Sequence, residues 1–390
     1  MDSNKYNKRG VSASKSEIHD AIKTLDKGIY PNAFCKILPD ITGGKSDHAN
    51  IMHADTAGTK TSLAYIYWKE TGDMSVWKNI VQDAIVMNID DIACVGSIND
   101  IIISSTIGRN KHLIPADVVS ELINASQLFI EKMKRYGIRL HLSGGETADV
   151  GDIVRTVDVG ITAFSRIKKQ DLIINDIKDK DVIVGLASYG KATYEEEYNS
   201  GMGSNGLTSA RHDIFNKTYR NKYPESYSDQ TPREFIYSGA KLLTDTIEIE
   251  GKVIPIGKFV LSPTRTYLPV LNKIFESHRK HINGIIHCTG GGQTKVMKFV
   301  NNRKIIKDNL FETPVLFKMI QEQSNTGWKE MYEVFNMGHR LEIYLPEKYA
   351  QSIIAISNQF GIEAKIIGRV EESMSNELII NGENGEFRYT

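Results

Sequence analysis

The chain has 390 residues, enough for two ordinary cores rather than one. Its hydrophobic content of 41% and charged content of 25% are those of a globular protein. Lysine plus arginine equal aspartate plus glutamate at 48 each, which removes bulk charge as a reason to bind nucleic acid or a membrane surface.

The N-terminus MDSNKYNKRG lacks the apolar stretch of a signal peptide, and no run approaches the roughly 18–20 apolar residues that cross a bilayer. Cys35, Cys94 and Cys288 have no metal-type spacing, so a reducing, cytoplasmic location is expected. Residues 1–49 read as a polar lead-in. From 50 to 168 strands and helices alternate: a strand at 50–54, helices at 61–70 and 75–95, then a strand over Ile98–Ile107. A helix starting at Pro115 carries Val118, Leu122, Ala125, Phe129 and Met133 at helical spacing, and strands at 138–142 and 153–164 follow. The charged stretch Arg166–Asp171 is the best linker.

The second domain, 169–390, opens on the apolar run Asp181–Ala187. It continues with a helix after Pro263, a strand at 282–288, a helix at 328–337, the strand Leu341–Leu345, a helix at 347–359 and the strand Glu363–Val370. No internal repeat is visible, so the fold class is α/β (α+β) in two domains.

Two glycine loops carry carboxylates. His53-Ala54-Asp55-Thr56-Ala57-Gly58-Thr59-Lys60 follows one predicted strand, and Leu142-Ser143-Gly144-Gly145-Glu146-Thr147-Ala148-Asp149 follows another. Oxygen ligands suit Mg²⁺, bare glycine N–H groups suit phosphate oxygens, and Lys60 adds positive charge, so a nucleoside triphosphate is the expected ligand. Asp55, Asp91 and Glu146 make one metal cluster if their segments adjoin; otherwise Asp90 and Asp91 lie on a solvated helix face and Glu146 merely ends a strand. Neither loop matches a Walker loop or a dinucleotide fingerprint.

In the second domain, Thr289-Gly290-Gly291-Gly292 follows a predicted strand and admits close approach by an anion. Gly203-Ser204-Asn205-Gly206-Leu207 opens a helix that Ser204 or Asn205 would cap, a second phosphate site unless both segments are ordinary turns. His48, His53, His287 and His339 have no acid–base partner near them in sequence.

These motifs resemble, in order and over most of the chain, aminoimidazole ribonucleotide synthetase, also called phosphoribosylformylglycinamidine cyclo-ligase. Asp55–Lys60 resembles its D-G-V-G-T-K loop, Met87–Ile92 its M-x-V-N-D-L/I helix, and Gly144–Ala148 its G-G-E-T-A segment. Ser204-Asn205-Gly206, Ser262-Pro263-Thr264-Arg265-Thr266-Tyr267, His287–Gly292 and Glu330–Gly338 match in turn. The first three motifs are shared by a wider ATP-using superfamily that includes formylglycinamidine synthetase, selenophosphate synthetase and thiamin-phosphate kinase. Three departures stand out. Pro39–Lys45 replaces a glycine- and phenylalanine-rich loop, and Gly10-Val11-Ser12-Ala13-Ser14-Lys15 replaces G-V-D-I-x-A-G. Gly203 replaces the histidine before Ser-Asn-Gly, after an added acidic stretch, Tyr194–Tyr198.

The resemblance implies an N-terminal mixed-sheet domain that dimerises and binds ATP, and a C-terminal α/β sandwich that binds substrate. It implies a homodimer with no nucleic-acid or membrane partner, closing the imidazole ring of formylglycinamidine ribonucleotide in purine biosynthesis. On that reading Asp55, Asp91 and Glu146 hold Mg²⁺, while Gly58, Thr59, Lys60, Gly144 and Gly145 meet the phosphates of ATP. Lys60 and Asp91 serve catalysis. Ser204, Asn205, Thr264, Arg265, Thr289, Gly290, Gly291, Gly292 and Asn336 meet the substrate. The rivals are another ATP-dependent enzyme of the superfamily acting on a different amide or acid, and a catalytically silent nucleotide-binding regulator.

Overall fold

Alternating burial builds the first sheet. Strands β1 (Ile37–Pro39), β2 (His48–Thr56), β3 (Ile101–Arg109), β4 (Leu140–Asp149) and β5 (Val157–Lys168) lie in the order β1-β2-β5-β3-β4. Every pairing is antiparallel except β3 with β4. The structure, a computed structural model, describes residues 5–12, 21 and 23–390, so Ala13, Ser14 and Lys15 of the amino-terminal motif lie outside the described residues. Within β5 the odd-numbered residues from Val157 to Ile167 are buried and the even-numbered ones half-exposed, the pattern of a sheet covered on one face.

Helices α1 (Lys60–Thr71), α2 (Val76–Ala93) and α3 (Ala116–Lys134) belong to the same domain, with α2 packed on β2 and β5 and α3 packed on α2 and β4. Helix α2 is buried almost end to end, including Asp83, Asn88, Asp90 and Asp91, because it has the sheet on one side and the second domain on the other. The far face of the sheet stays bare. Met52, Phe164 and Ile102 stand in one row across three strands there, with Met52 62% and Ile102 43% exposed.

The second sheet has seven strands: β6 (Asp181–Ala187), β7 (Gly284–His287), β8 (Arg303–Lys307), β9 (His339–Pro346), β10 (Ala364–Glu372), β11 (Glu377–Gly382) and β12 (Gly385–Tyr389). Their order is β7-β9-β6-β10-β8-β11-β12. All residues of β6 are buried, as suits a central strand covered on both faces. Around this sheet lie α4 (Leu207–Ile214), α5 (Leu268–His278), α6 (Val315–Ser324), α7 (Trp328–Val334) and α8 (Ala350–Gln359). Helix α5 packs against both α8 and α2, so it joins the two domains. Among the described residues no helix is long and apolar enough to cross a membrane.

Candidate active site

The turns that carry the motifs meet at the domain junction. Between β2 and α1, Gly58 takes a left-handed conformation (φ 62°) and donates its N–H to Thr56 Oγ1 at 3.1 Å. Thr59 Oγ1 then reaches Thr208 Oγ1 of α4 at 2.7 Å, so the first domain's turn rests on the second domain's helix. Gly206, not Ser204 or Asn205, occupies the N-cap of α4, with φ 78° and no side-chain cap. A Cβ there would lie 2.4 Å from the Phe335 ring, which excludes the expected serine or asparagine at the cap itself. Asn205 instead faces the glycine run, its Nδ2 being 3.5 Å from where a Cβ on Gly290 would stand. Gly292 presses on the Tyr332 and Phe335 carbonyls, whereas Gly291 (φ 98°) keeps its side of the loop open. Asn205 and the glycine run are therefore neighbours, with Ser204 in the same turn as Asn205.

Asp91 sits at the centre of this junction. Its Oδ1 accepts from His287 Nδ1, at the end of β7, at 2.7 Å, and its Oδ2 lies 3.4 Å from His53 Nε2 on β2. Asn88 gives both hydrogens of its amide group to the carbonyls of Asp55 and Ala84, so its Oδ1 accepts from His53 Nδ1 at 2.9 Å. Arg340 Nε, on β9, donates to His287 Nε2 at 3.3 Å. Burial alone would raise the Asp91 pKa, but the His287 hydrogen bond and the charges of His287, His53 and Lys295 bring it below the usual carboxylate value. For His53 and His287 the partner invisible in sequence is this single aspartate, contributed by a helix and shared by two strands from different domains, whereas His48 does have a partner beside it in sequence, Asp47, and His339 meets Glu342 three residues on.

Asp55 lies two residues beyond His53 on β2 and so shares its face toward α2, where Asp91 also stands. Two carboxylates on facing elements suit one Mg²⁺, which needs few protein ligands when it arrives with phosphates. Glu146 does not join them. Asp55 is in register with Ile161, Ser105 and Gly145 across the sheet, which puts Glu146 three strands away, roughly 14 Å, and on the bare face. The expected three-carboxylate cluster is therefore absent within this chain. Nor is the Gly144-Gly145 segment a loop: it lies within β4, where the extra residues Ser143 and Gly144 bulge past β3. Gly145 is required by packing, since a Cβ would come within 2.2 Å of Ser105 Oγ.

Four other expected ligands are committed elsewhere. Lys60 is fully buried, paired with Asp83 at 2.9 Å and donating to the Ser262 carbonyl at 2.5 Å, so it faces away from any phosphate. Thr264 binds the same Asp83 carboxylate through N–H and hydroxyl. Arg265 donates to the Ala187, Tyr189 and Gly190 carbonyls and to both oxygens of Glu195, a residue of the added acidic stretch, leaving no N–H for a substrate. Asn336 holds the Gly201 carbonyl at 2.9 Å and accepts from Ser188 Oγ and the Gly338 N–H, so it shapes the loop before Ser204 rather than a ligand.

Cys288, His339 and Glu342 also gather three metal-type ligand atoms within 4.8 Å of one another. A cation already stands there: Lys307 pairs with Glu342, and Tyr344 donates to its other oxygen at 2.6 Å. Against the opposing effect of burial, Lys307 and His339 hold the Glu342 pKa down to about 2. The cluster is a core ion pair.

Family models for AIR synthase related protein match both halves of the chain, the N-terminal domain over residues 34–167 and the C-terminal domain over residues 178–381. The chain belongs to this family. The phosphoribosylformylglycinamidine cyclo-ligase of Methanococcus vannielii is 30% identical over 371 residues, covering 93% of this chain and 87% of its own length. That of Methanocaldococcus jannaschii is 28% identical over 332 residues, covering 84% of this chain and 80% of its own. Among solved structures, thiamine monophosphate kinase from Aquifex aeolicus superimposes with a TM-score of 0.54 at 13% identity, covering 95% of this chain and 98% of that one, which shows the shared fold. The AIR synthase related family thus accounts for both sheets and for the motifs that meet between them.

Proposed function

We infer that this chain is an ATP-dependent cyclo-ligase that closes the imidazole ring of formylglycinamidine ribonucleotide, giving aminoimidazole ribonucleotide, ADP and phosphate. The observation that carries the reading is the meeting of the family's two halves at one junction: Thr59 on Thr208, Asn205 beside Gly290, and Asp91 bound by His287.

The chemistry needs such a junction. An amide oxygen is a poor leaving group, and phosphorylating the formyl oxygen lets the amidine nitrogen attack that carbon while phosphate departs. Phosphoryl transfer mostly needs positioning and charge neutralisation. We assign ATP to the first domain, where the turn at Gly58 and Thr59 is open to close approach by a ligand. Asp55 and Asp91 would hold the Mg²⁺ that neutralises its phosphates. His287, hydrogen-bonded to one Asp91 oxygen, would hold that carboxylate in place for the ion, as outer partners of metal ligands do. Asn205 and Thr289–Gly292 face the nucleotide substrate.

A homodimer completes this proposal. The bare row Met52, Phe164 and Ile102 is a sheet face that one helical layer leaves uncovered, and a second copy would bury it. Glu146 projects on that face, so it belongs to a nucleotide site only as a residue contributed across the dimer. Replacing Ile102 with Glu should shift the mass in light scattering from dimer to monomer; an unchanged mass would place the interface elsewhere. The deciding experiment for the function is ADP release from ATP with formylglycinamidine ribonucleotide, run beside a panel of other amide-bearing nucleotides. Release with a panel member alone would move the enzyme to another substrate, and release with none would leave the silent regulator.

A further inference from the structure

A cavity of about 690 Å³ lies between the two domains, and none of Asp55, Gly58, Asp91, Asn205 and Gly290 borders it. Its volume is in the range of sites that hold small molecules. Helices α2 and α3 make its first-domain wall. The added acidic stretch Tyr194–Tyr198, the strand Lys252–Pro255 of a hairpin, and residues between Lys258 and Thr266 make the other. The two walls are fastened to each other. Gln82 Nε2 of α2 donates to the Thr264 carbonyl at 2.9 Å, and Tyr136, just past α3, stands edge-on to Tyr194 with ring centroids 5.5 Å apart. Asn199 Nδ2 donates to Glu195 Oε1 at 3.1 Å and to the Pro263 carbonyl at 2.8 Å, which holds the acidic stretch in place.

Helical spacing decides what the first-domain wall presents. Leu128, Lys132 and Arg135 stand at i, i+4 and i+7, so they share one face of α3, and all three border the cavity. Leu128 is 50% exposed, and Val253 on the opposite wall is 67% exposed, so apolar surface is left uncovered beside cations. Several charges of the lining are already engaged. Glu195 pairs with Arg265 at 2.5 Å, Lys258 lies 3.3 Å from Glu197 and 3.6 Å from Asp73, and Lys78 lies 3.6 Å from Glu121. Among the described residues Lys132, Arg135, Lys252 and Glu196 form no ion pair, and Glu131 meets only the neutral Gln127 amide. Exposed lysines alone are content with water. Three unpaired cations from two domains, an unpaired carboxylate and bare apolar surface around one enclosed space make a more specific set.

We propose that this cavity binds an organic phosphate carrying an amino-substituted ring, the class to which adenine nucleotides belong, at a site separate from the Asp91 junction. Lys132 and Arg135 take the phosphate from α3, and Lys252 meets it from the hairpin. Glu196 accepts from the ring amine, while the flat ring covers the apolar surface at Leu128 and Val253. The inference goes beyond the cyclo-ligase reading and does not depend on it. It gives the added acidic stretch a ligand to recognise. Because both domains line the cavity, an occupant would bias their relative placement, which suits an effector more than a reactant.

The test is calorimetry on the full-length chain without Mg²⁺, with AMP, IMP and inorganic phosphate as probes. AMP should bind the wild type. Arg135→Glu and Lys132→Glu change side chains that make no ion pair, so both variants should keep the wild-type denaturation midpoint. Each should weaken AMP by about 10-fold or more, as loss of a charge-assisted contact does. Glu196→Ala should weaken AMP and leave IMP, which carries a carbonyl in place of the amine, unchanged. Asp91→Asn should bind AMP as the wild type does, because Asp91 does not border the cavity. No AMP binding by the wild type, or binding that survives both charge reversals, overturns the proposal. Loss of AMP in Asp91→Asn also overturns it, by moving the ligand to the junction. Inorganic phosphate binding as tightly as AMP would remove the ring from the recognition, and equal affinity of the wild type for AMP and IMP would remove the amine. None of these readings involves turnover, so a protein that releases no ADP with formylglycinamidine ribonucleotide would lose the cyclo-ligase reading and keep this site.

Discussion

The two ends of helix α2 face the second domain in opposite ways. In its N-terminal half, Asp83 takes Lys60, the Thr264 N–H and the Thr264 hydroxyl on one oxygen, while the neighbouring Arg265 spends all its donors on three carbonyls and Glu195. Near its C-terminal end, Asp91 is held by two histidines from different domains, and Arg340 beyond His287 keeps a nitrogen unfilled. The same residue types occur at both ends, and both sets lie in family motifs. The partners separate them: at Asp83 a buried lysine and the Thr264 donors all meet one oxygen and fasten one domain to the other, although Oδ2 has no partner, whereas Asp91 is met by imidazoles alone and can meet a ligand. Exchanging the roles of the two ends by mutation is the way to break this distinction.

The largest effect belongs to the Lys60–Asp83 pair. Lys60→Met would leave Asp83 buried without its counter-charge, and breaking a buried pair on one side costs about 3–5 kcal/mol. Chemical denaturation should show that loss, while the affinity of the surviving folded protein for Mg-ATP stays near the wild-type value. A variant of normal stability that fails to bind ATP would return Lys60 to the phosphates.

A similar ion pair in the second sheet gives a pH signature. Glu342 has its pKa held down to about 2 from an ordinary 4.5, with burial opposed by Lys307 and His339. A depressed carboxylate contributes stability that is complete above the unfolded value and lost as pH falls toward the folded one. The shift is worth about 3 kcal/mol at neutral pH, disappearing between about pH 4.5 and 2. Glu342→Gln should be destabilised at pH 7 and should lose stability less steeply than the wild type across that acid window. Parallel curves would mean that the pair contributes nothing to acid sensitivity.

At Asp91 the readout changes from stability to ligand. Asp91→Asn preserves shape but removes the charge between His53 and His287, so affinity for ATP in the presence of Mg²⁺ should fall by about 100-fold. Calorimetry without Mg²⁺ should show little difference. Unchanged metal-dependent affinity would take Asp91 out of the site.

How much of this was legible in sequence follows the same division. Amphipathic spacing marked α3, whose burial follows a period of 3.6, and apolar runs marked β2, β3 and the wholly buried β6. Arg303–Lys307 was passed over as a strand: it is short and begins and ends in charge, and Lys307 enters the core only because Glu342 meets it there. The motifs drew attention to Asn205, the glycine run and Asp91; in the fold Asn205 lies beside Gly290, and Asp91 meets His287. What sequence could not say is which way a lysine points, or that three strands separate Asp55 from Glu146. Arg340 gave no signal, since only its unpartnered Nη1 distinguishes it from an ordinary core arginine.

The smallest expected effect probes the glycine run itself. Gly291 has φ 98°, a conformation side chains rarely adopt, yet a Cβ there would find its nearest neighbour, Thr294 Oγ1, only at 3.7 Å. Strain and bulk can therefore be separated. Gly291→Ala introduces the strain with a small methyl group, and Gly291→Val adds a branched side chain on the open side where the substrate is proposed to approach. Both should lower stability by a similar amount, about 1–2 kcal/mol, because the backbone penalty is common to them. Only valine should raise KM for the nucleotide further, by about 10-fold, corresponding to roughly 1.4 kcal/mol of lost binding. Mg-ATP affinity should be the same in both, since Gly58, Thr59, Asp55 and Asp91 are untouched. If alanine raised KM as much as valine, the loop's conformation and not its openness would govern substrate binding. If valine weakened ATP and spared the nucleotide, the two ligands would have to exchange domains.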